Sequence, residues 1–284
     1  MPTVLVSAAG LVLDPDAALI HADDLGLVHG DGLFETMLVR EGRACGADRH
    51  LARLRDSASV AGLPAVDVED LMRMVDAGVA QWRRVGSGEG MLRLVCTRGR
   101  EGDPAAAPTL FLTVDPVPDR VAVARRDGVR AVTLPTAYEP GSAQHAPWLL
   151  AGVKSLSYAV NVAALRHARG LGADDAIFVS AAGTVLEGPR GSVVAVIDGA
   201  LVTPPRDDGI LPGTTQDALF DLAAAEGVPA VERSLTVEDL YAAQEVWLLS
   251  SVTLAARVRE LNGRACRRQD VIDVACLVHR SAGS

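Results

Sequence analysis

Apolar positions along the chain recur in two periods, and each change of period marks an expected element. Thr3-Val4-Leu5-Val6 is a short strand-like run. Gly30-Asp31-Gly32 then reads as a tight turn feeding a strand through Leu38 and Val39, closed by a second turn at Glu41-Gly42. From His50 to Ala58 the period lengthens: Leu51, Leu54 and Ala58 share one helical face, with Arg53 and Ser57 beside it. A second amphipathic helix over 68–82 leads into strands at 90–97 and 108–114. Asp115-Pro116-Val117-Pro118-Asp119 favours an extended connection, because each proline restrains the residue before it. The expected division is an N-terminal domain over 1–115, a linker at 116–120 and a C-terminal domain over 121–284 that carries Lys154.

Beyond the linker, 128–134 reads as a strand and 135–150, with Pro135, Pro140, Gly141 and Pro147, as an interdomain loop. A helix is expected to start at Lys154 and run through Leu156, Val160, Ala164 and Ala168 to Gly170. Strands follow at 176–179, 184–187, 192–197 and 200–202, and the Asp198-Gly199 pair between the last two is a strong hairpin signal. Gly209-Ile210-Leu211-Pro212-Gly213-Thr214-Thr215 opens a helix ending at Gly227. The expected fold class is α+β or α/β in two domains, a small N-terminal α/β domain and a larger β-rich C-terminal domain with helices.

Composition narrows the function. With 49% hydrophobic residues the chain has ample material for a core, and its net charge of -9 argues against nucleic-acid or anionic-membrane partners. Cys45, Cys96, Cys266 and Cys276 are too scattered for a zinc site or a disulfide framework, so no metal is expected. No apolar run reaches the roughly 18 residues of a membrane span, and the N-terminus lacks the pattern of a secretion signal, which places the protein in the cytoplasm. Of the 27 basic residues only one is a lysine, Lys154. Where any cation would serve, this chain uses arginine; a lysine does what a guanidinium does not, releasing its proton and condensing with a carbonyl. Glu187, at the end of a strand, and the Gly213-Thr214-Thr215 turn, with backbone N–H groups at a helix N-terminus and two hydroxyls, complete a set suited to pyridoxal phosphate: amine, pyridine-nitrogen partner and phosphate cradle.

Taken in order, Gly30-Asp31-Gly32, His50-x-x-Arg53-Leu54, Lys154-Ser155-Leu156, Glu187 and Gly209-Ile210-Leu211-Pro212-Gly213-Thr214-Thr215 resemble the class IV aminotransferases, the fold-type-IV pyridoxal-phosphate enzymes. The resemblance covers nearly the whole chain. It implies that Lys154 bonds covalently to pyridoxal 5′-phosphate, that Glu187 partners the pyridine nitrogen, and that Arg53 is a phosphate ligand. It further implies that Tyr158 approaches the cofactor's phenolic oxygen and that Thr214 and Thr215 hold the phosphate, with Ser251-Val252-Thr253 a fainter second phosphate turn. Where the family usually carries Glu-x-x-x-x-Asn, this chain has Glu187-Gly188-Pro189-Arg190-Gly191-Ser192, leaving Ser192 as the polar group at the asparagine position.

Within the group, Lys154-Ser155-Leu156-Ser157-Tyr158, Val185 to Arg190 and Gly213 to Gln216 look most similar to actinobacterial-type 4-amino-4-deoxychorismate lyases. That similarity implies elimination of pyruvate to leave 4-aminobenzoate for folate biosynthesis. Such a substrate carries two carboxylates and calls for cations; Arg98 is the first candidate and Arg190 the second, with Phe34 as a pocket wall. Phe34-Glu35 is also common in transaminases, so an aminotransferase acting on branched-chain or D-amino acids stays open, as does a non-catalytic protein that binds the cofactor. The resemblance implies a homodimer acting on a small-molecule substrate.

Overall fold

The computed structural model describes residues 3–102, 107–137 and 139–283. The chain divides into two compact units: unit 1 comprises residues 1–118 and 153–158, and unit 2 comprises 119–152 and 159–284.

Unit 1 is built on strands β1 (Val4–Ser7), β2 (Val12–Leu13), β3 (Gly32–Arg40), β4 (Arg43–Ala44), β5 (Gly90–Thr97) and β6 (Leu110–Pro116). Helices α1 (Leu25–Val28), α2 (Ala47–Val60) and α3 (Val68–Val85) join them. Among the described residues the strands form one antiparallel sheet in the order β2-β1-β6-β5-β3-β4. Alternation puts Val4 and Val6, Leu92 and Leu94, and Leu112 and Val114 into one buried layer. The helices supply the opposing stripe at helical spacing, Leu51, Leu54 and Ala58 from α2 and Leu71, Met74, Val75, Val79 and Trp82 from α3. Helix α3 starts where the Asp67 carboxylate accepts the Glu69 N–H at 2.8 Å.

Unit 2 contains α4 (Asp119–Asp127), β7 (Val129–Pro135), α5 (Ser142–His145), α6 (Ala159–Gly170), β8 (Asp175–Val179), β9 (Thr184–Val185), β10 (Glu187–Gly188), β11 (Gly191–Ile197) and β12 (Ala200–Thr203). It continues with α7 (Thr214–Ala225), β13 (Ala230–Glu232), β14 (Leu235–Thr236), α8 (Val237–Ala242), β15 (Glu245–Ser250), β16 (Leu254–Leu261), β17 (Arg264–Ala265) and α9 (Val274–Ser281). Its mixed sheet runs β13-β12-β11-β15-β16-β7-β8-β9-β14, with β10 pairing β11 and β17 pairing β16. The β16-β7-β8 stretch is parallel. Val193, Ala195, Val246, Leu248, Ala256 and Val258 form its core. The fold is α+β. The expected hairpin is present: Asp198 and Gly199 both have positive φ, 50° and 74°, as the tight turn between β11 and β12 requires.

Three expectations are revised. Strand β6 runs through Pro116, which pairs with Gly90 at the end of its ladder, and α4 starts at Asp119, so only Val117 and Pro118 lie between these elements. The stretch 135–150 belongs to unit 2, where Pro135 closes β7 and the short helix α5 and a 3₁₀ turn at Pro147–Leu149 follow. Lys154 does not begin a helix. Residues 153–158 are not helical and belong to unit 1, because backbone bonds tie them to β3; α6 starts only at Ala159.

Strands β11 and β15 approach closely at Gly191, where a Cβ would lie 2.2 Å from the Leu249 carbonyl oxygen. Because backbone rather than a flexible side chain blocks that space, Gly191→Ala is expected to destabilise the protein by about 1–3 kcal/mol, the usual range for overpacking. Urea unfolding checks this: the midpoint drops with the slope unchanged, and an unshifted midpoint contradicts the close approach.

Candidate active site

In unit 1 the site grows from the Gly30-Asp31-Gly32 turn. Gly32 is confined on both sides, since a Cβ there would lie 2.7 Å from both the Cys96 carbonyl oxygen and Leu156 Cδ1. The glycine lets residues 153–158 lie against β3. The Phe34 N–H donates to the Lys154 carbonyl at 3.1 Å, the Leu156 N–H donates to the Gly32 carbonyl at 2.8 Å, and Leu33 pairs with Ser155. This register delivers the lysine amine to the Phe34 face of β3. Lys154 Nζ lies 4.4 Å from the Phe34 ring centroid and 5.9 Å from that of Tyr158. The two rings meet edge to face, with centroids 5.3 Å apart and planes at 83°. Electron-rich ring faces attract an ammonium and hold it in place.

On the opposite face of β3, Glu35 is inserted between Leu33 and Met37 and is fully buried. A charge there requires partners, and α2 provides them one turn apart. His50 Nδ1 is 2.6 Å from Glu35 Oε2, while Arg53 donates from Nε to Oε1 at 2.8 Å and from Nη2 to Oε2 at 2.7 Å. Burial by itself raises the pKa of the Glu35 carboxyl, but the Arg53 guanidinium and the His50 hydrogen bond outweigh it and hold the group at about 2. Burial also lowers the pKa of His50, opposed by Glu35 and reinforced by Arg53 and Lys154. A neutral His50 facing an ionised Glu35 carries its proton on Nδ1 and donates it to the carboxylate. Arg53 is thereby fixed in orientation, with two of its five N–H donors on Glu35.

Unit 2 holds the second group. Glu187 on β10 is the direct cross-strand partner of Ser192 on β11, so the two side chains share a face. Glu187 Oε2 accepts the Leu211 N–H at 3.3 Å. The Gly213 turn packs onto Ser192: a Cβ on Gly213 would fall 2.2 Å from Ser192 Oγ. Thr214 and Thr215 open α7 directly after it, and Gly213 has no side chain with which to cap that helix. Glu187, Ser192 and the Gly213 turn that precedes Thr214 and Thr215 thus meet. Ser251-Val252-Thr253 forms the turn between β15 and β16, held from behind by Arg125, which donates to the Val252 and Thr253 carbonyls at 2.6 and 3.1 Å.

The two arginines expected to bind substrate carboxylates are each paired with an acid. Arg98 donates to Asp31 at 2.5 Å and to the Gly62 and Ala61 carbonyls at 2.8 and 3.1 Å, clamping the glycine turn to the end of α2. Arg190 donates to Asp175 at 2.7 Å and lines a cavity whose walls include Thr253 but none of Glu187, Ser192, Thr214 and Thr215. The anchoring role of Glu35 is an addition to the expected set. Its signal was an acid at an inward-facing strand position, with a His and an Arg one helical turn apart downstream.

Residues 32–261 match the family model for amino-transferase class IV. The chain belongs to the class IV aminotransferases. A relative from Mycobacterium tuberculosis named bifunctional aminodeoxychorismate lyase / D-amino acid transaminase is 49% identical, over 95% of this chain and 96% of its own. The PLP-bound form of a hypothetical aminotransferase from the same organism superimposes with a TM-score of 0.96 at 48% identity, covering 99% of both chains. The 4-amino-4-deoxychorismate lyase from Pseudomonas aeruginosa does so with a TM-score of 0.78 at 28% identity, covering 93% of this chain and 94% of its own. This class IV aminotransferase is a pyridoxal-phosphate-dependent enzyme. Its donor set fits the cofactor: unit 1 offers one amine beside two aromatic rings, and unit 2 offers a carboxylate with a fixed hydrogen bond and an uncapped helix N-terminus with two threonines.

Acid should weaken the fold in two stages. His50 and Glu35 both have lowered pKa values in the native state, so the unfolded chain binds protons first and stability falls as pH drops. The decline begins as pH passes the ordinary histidine value of 6.5 and steepens from the ordinary glutamate value of 4.5 toward about 2. Glu35 accounts for about 3 kcal/mol of it at 1.36 kcal/mol per pH unit. Glu35→Gln is expected to start less stable, with Arg53 stripped of its carboxylate, and to lack the steeper limb. A variant curve of stability against pH that parallels the wild type would contradict this assignment.

Proposed function

We propose that the enzyme is a 4-amino-4-deoxychorismate lyase, eliminating pyruvate and leaving 4-aminobenzoate. The observation that carries the reading is identity of 49% along almost the whole chain to a relative named for that activity. In this reading Lys154 would hold the cofactor through its amine and, as a free amine, would be the base that takes the proton from the ring carbon bearing nitrogen. Bound pyridoxal phosphate supplies the sink for the electron pair so freed. Glu187, steadied by the Leu211 N–H, would hold the pyridine nitrogen in its protonated form. Thr214 and Thr215 at the start of α7, and Arg53 as oriented by Glu35, bind the phosphate. Phe34 and Tyr158 keep the Lys154 amine in one place while it exchanges its proton. Ser192 stands opposite Glu187 and limits how its carboxylate turns.

The second reading is transamination of D-amino acids, favoured by the other half of the same relative's name. We also propose a homodimer. Trp148 and Val160 in unit 2 are 75% and 67% exposed, apolar surface that a second copy would cover; light scattering at twice the chain mass is the expected result.

The deciding assay measures 4-aminobenzoate release from aminodeoxychorismate beside amino transfer from D-alanine to 2-oxoglutarate. Release of 4-aminobenzoate is expected, falling at least about 10³-fold in Lys154→Ala. Amino transfer without 4-aminobenzoate would replace the lyase reading with the transaminase one. Glu187→Gln is expected to keep the bound cofactor's visible absorbance while kcat falls about 10²-fold or more; an undiminished kcat would remove Glu187 from its assigned role.

A further inference from the structure

Unit 2 contains a cavity of about 420 Å³, within the range of about 300–1,000 Å³ typical of small-molecule sites. Its floor is apolar, formed by Val123, Val129, Leu248, Leu249 and Ala256. Four arginines, Arg120, Arg169, Arg190 and Arg259, lie among its walls with three acids, Asp127, Asp174 and Asp175. The acids are already engaged. Asp127 binds Arg126 at 2.7 Å and Asp174 binds Arg130 at 3.2 Å, both guanidiniums from outside the lining, and Asp175 binds Arg190. Arg259 reaches Asp174 only at 4.0 Å. Neither Arg120 nor Arg169 has an acidic group within ion-pair distance among the described residues. In a chain of net charge -9, positive charge is therefore left over beside an apolar floor.

We propose that this cavity is a second binding site, for a small organic anion whose apolar body rests on the floor while a carboxylate or phosphate is held by Arg120 and Arg169. Guanidiniums recognise both head groups through paired N–H donors. Partial burial, and then the nearness of Arg190 and Arg169, lower the pKa of Arg120 against the pull of Asp175, so an anion seated there relieves repulsion already present. A bare inorganic ion would use the arginines and leave the Val123 and Leu248 surfaces wet. The cavity borders the turn that carries Thr253, but none of Lys154, Glu187, Thr214 and Thr215 lines it and neither Arg120 nor Arg169 belongs to the machinery proposed above, so ligand binding there is separable from turnover.

Titration calorimetry on the cofactor-loaded enzyme with benzoate and with phenyl phosphate tests this, and the tighter probe identifies the preferred head group. Saturable binding of at least one probe is expected, weakened about tenfold or more in the Arg120→Gln, Arg169→Gln double variant, for which turnover stays at the wild-type level. Val123→Trp, on the half-exposed outer part of α4, fills the cavity without altering charge and is expected to block binding as well. Absence of saturable binding by either probe overturns the proposal. So does binding that survives both variants, which would assign the probes to the catalytic site.

Discussion

A buried carboxylate organises unit 1. Glu35 occupies a strand position that alternation reserves for apolar side chains, and an ionised group there is tolerable only if its oxygens are fully engaged. The two α2 side chains that engage them fix that helix against β3 in rotation and in height, because His50 and Arg53 reach one carboxylate only when they face it together. The opposite side of the strand is fixed by the same stroke. Phe34 must then point away from α2, toward the segment that brings Lys154.

The lysine itself is positioned by main chain. Backbone bonds on either side of residue 33 set the register of 153–158, so the amine's place depends little on what its own side chain touches. Backbone pairing is indifferent to side-chain identity and tolerant of sequence change. In unit 2 the carboxylate, the serine opposite it and the glycine turn are likewise set by ladder register and by a glycine with no room for a side chain.

Much of this was legible in the sequence. Strand alternation, the α2 and α3 stripes and the Asp198-Gly199 hairpin are local signals, and local signals survive folding. The uniqueness of Lys154 and the order of the motifs pointed to the cofactor chemistry. The start of α6 is not legible, because Leu156, Val160 and Ala164 fit a helical face, while the competing pairing with β3 lies more than a hundred residues away. The ion pairs of Arg98 and Arg190 are hidden for a related reason. Their partners Asp31 and Asp175 are distant in sequence or on another strand, and a free arginine and a clamped one look alike in a string of letters. Glu35 was visible as a motif member, but not as the anchor of two helical residues.

The division of the chain has a consequence for its synthesis. Unit 1 is assembled from residues 1–118 and a six-residue segment that follows an excursion of thirty-four residues into unit 2. A nascent chain that has emerged only as far as Pro118 has every strand of its sheet but not the segment that pairs with the start of β3. Domains of most multi-unit proteins finish in order from the N-terminus; here the first unit must wait for part of the second. Lys154 therefore arrives in the last segment of its own unit, so a truncated product released early has a nearly finished sheet and lacks the single lysine of the chain.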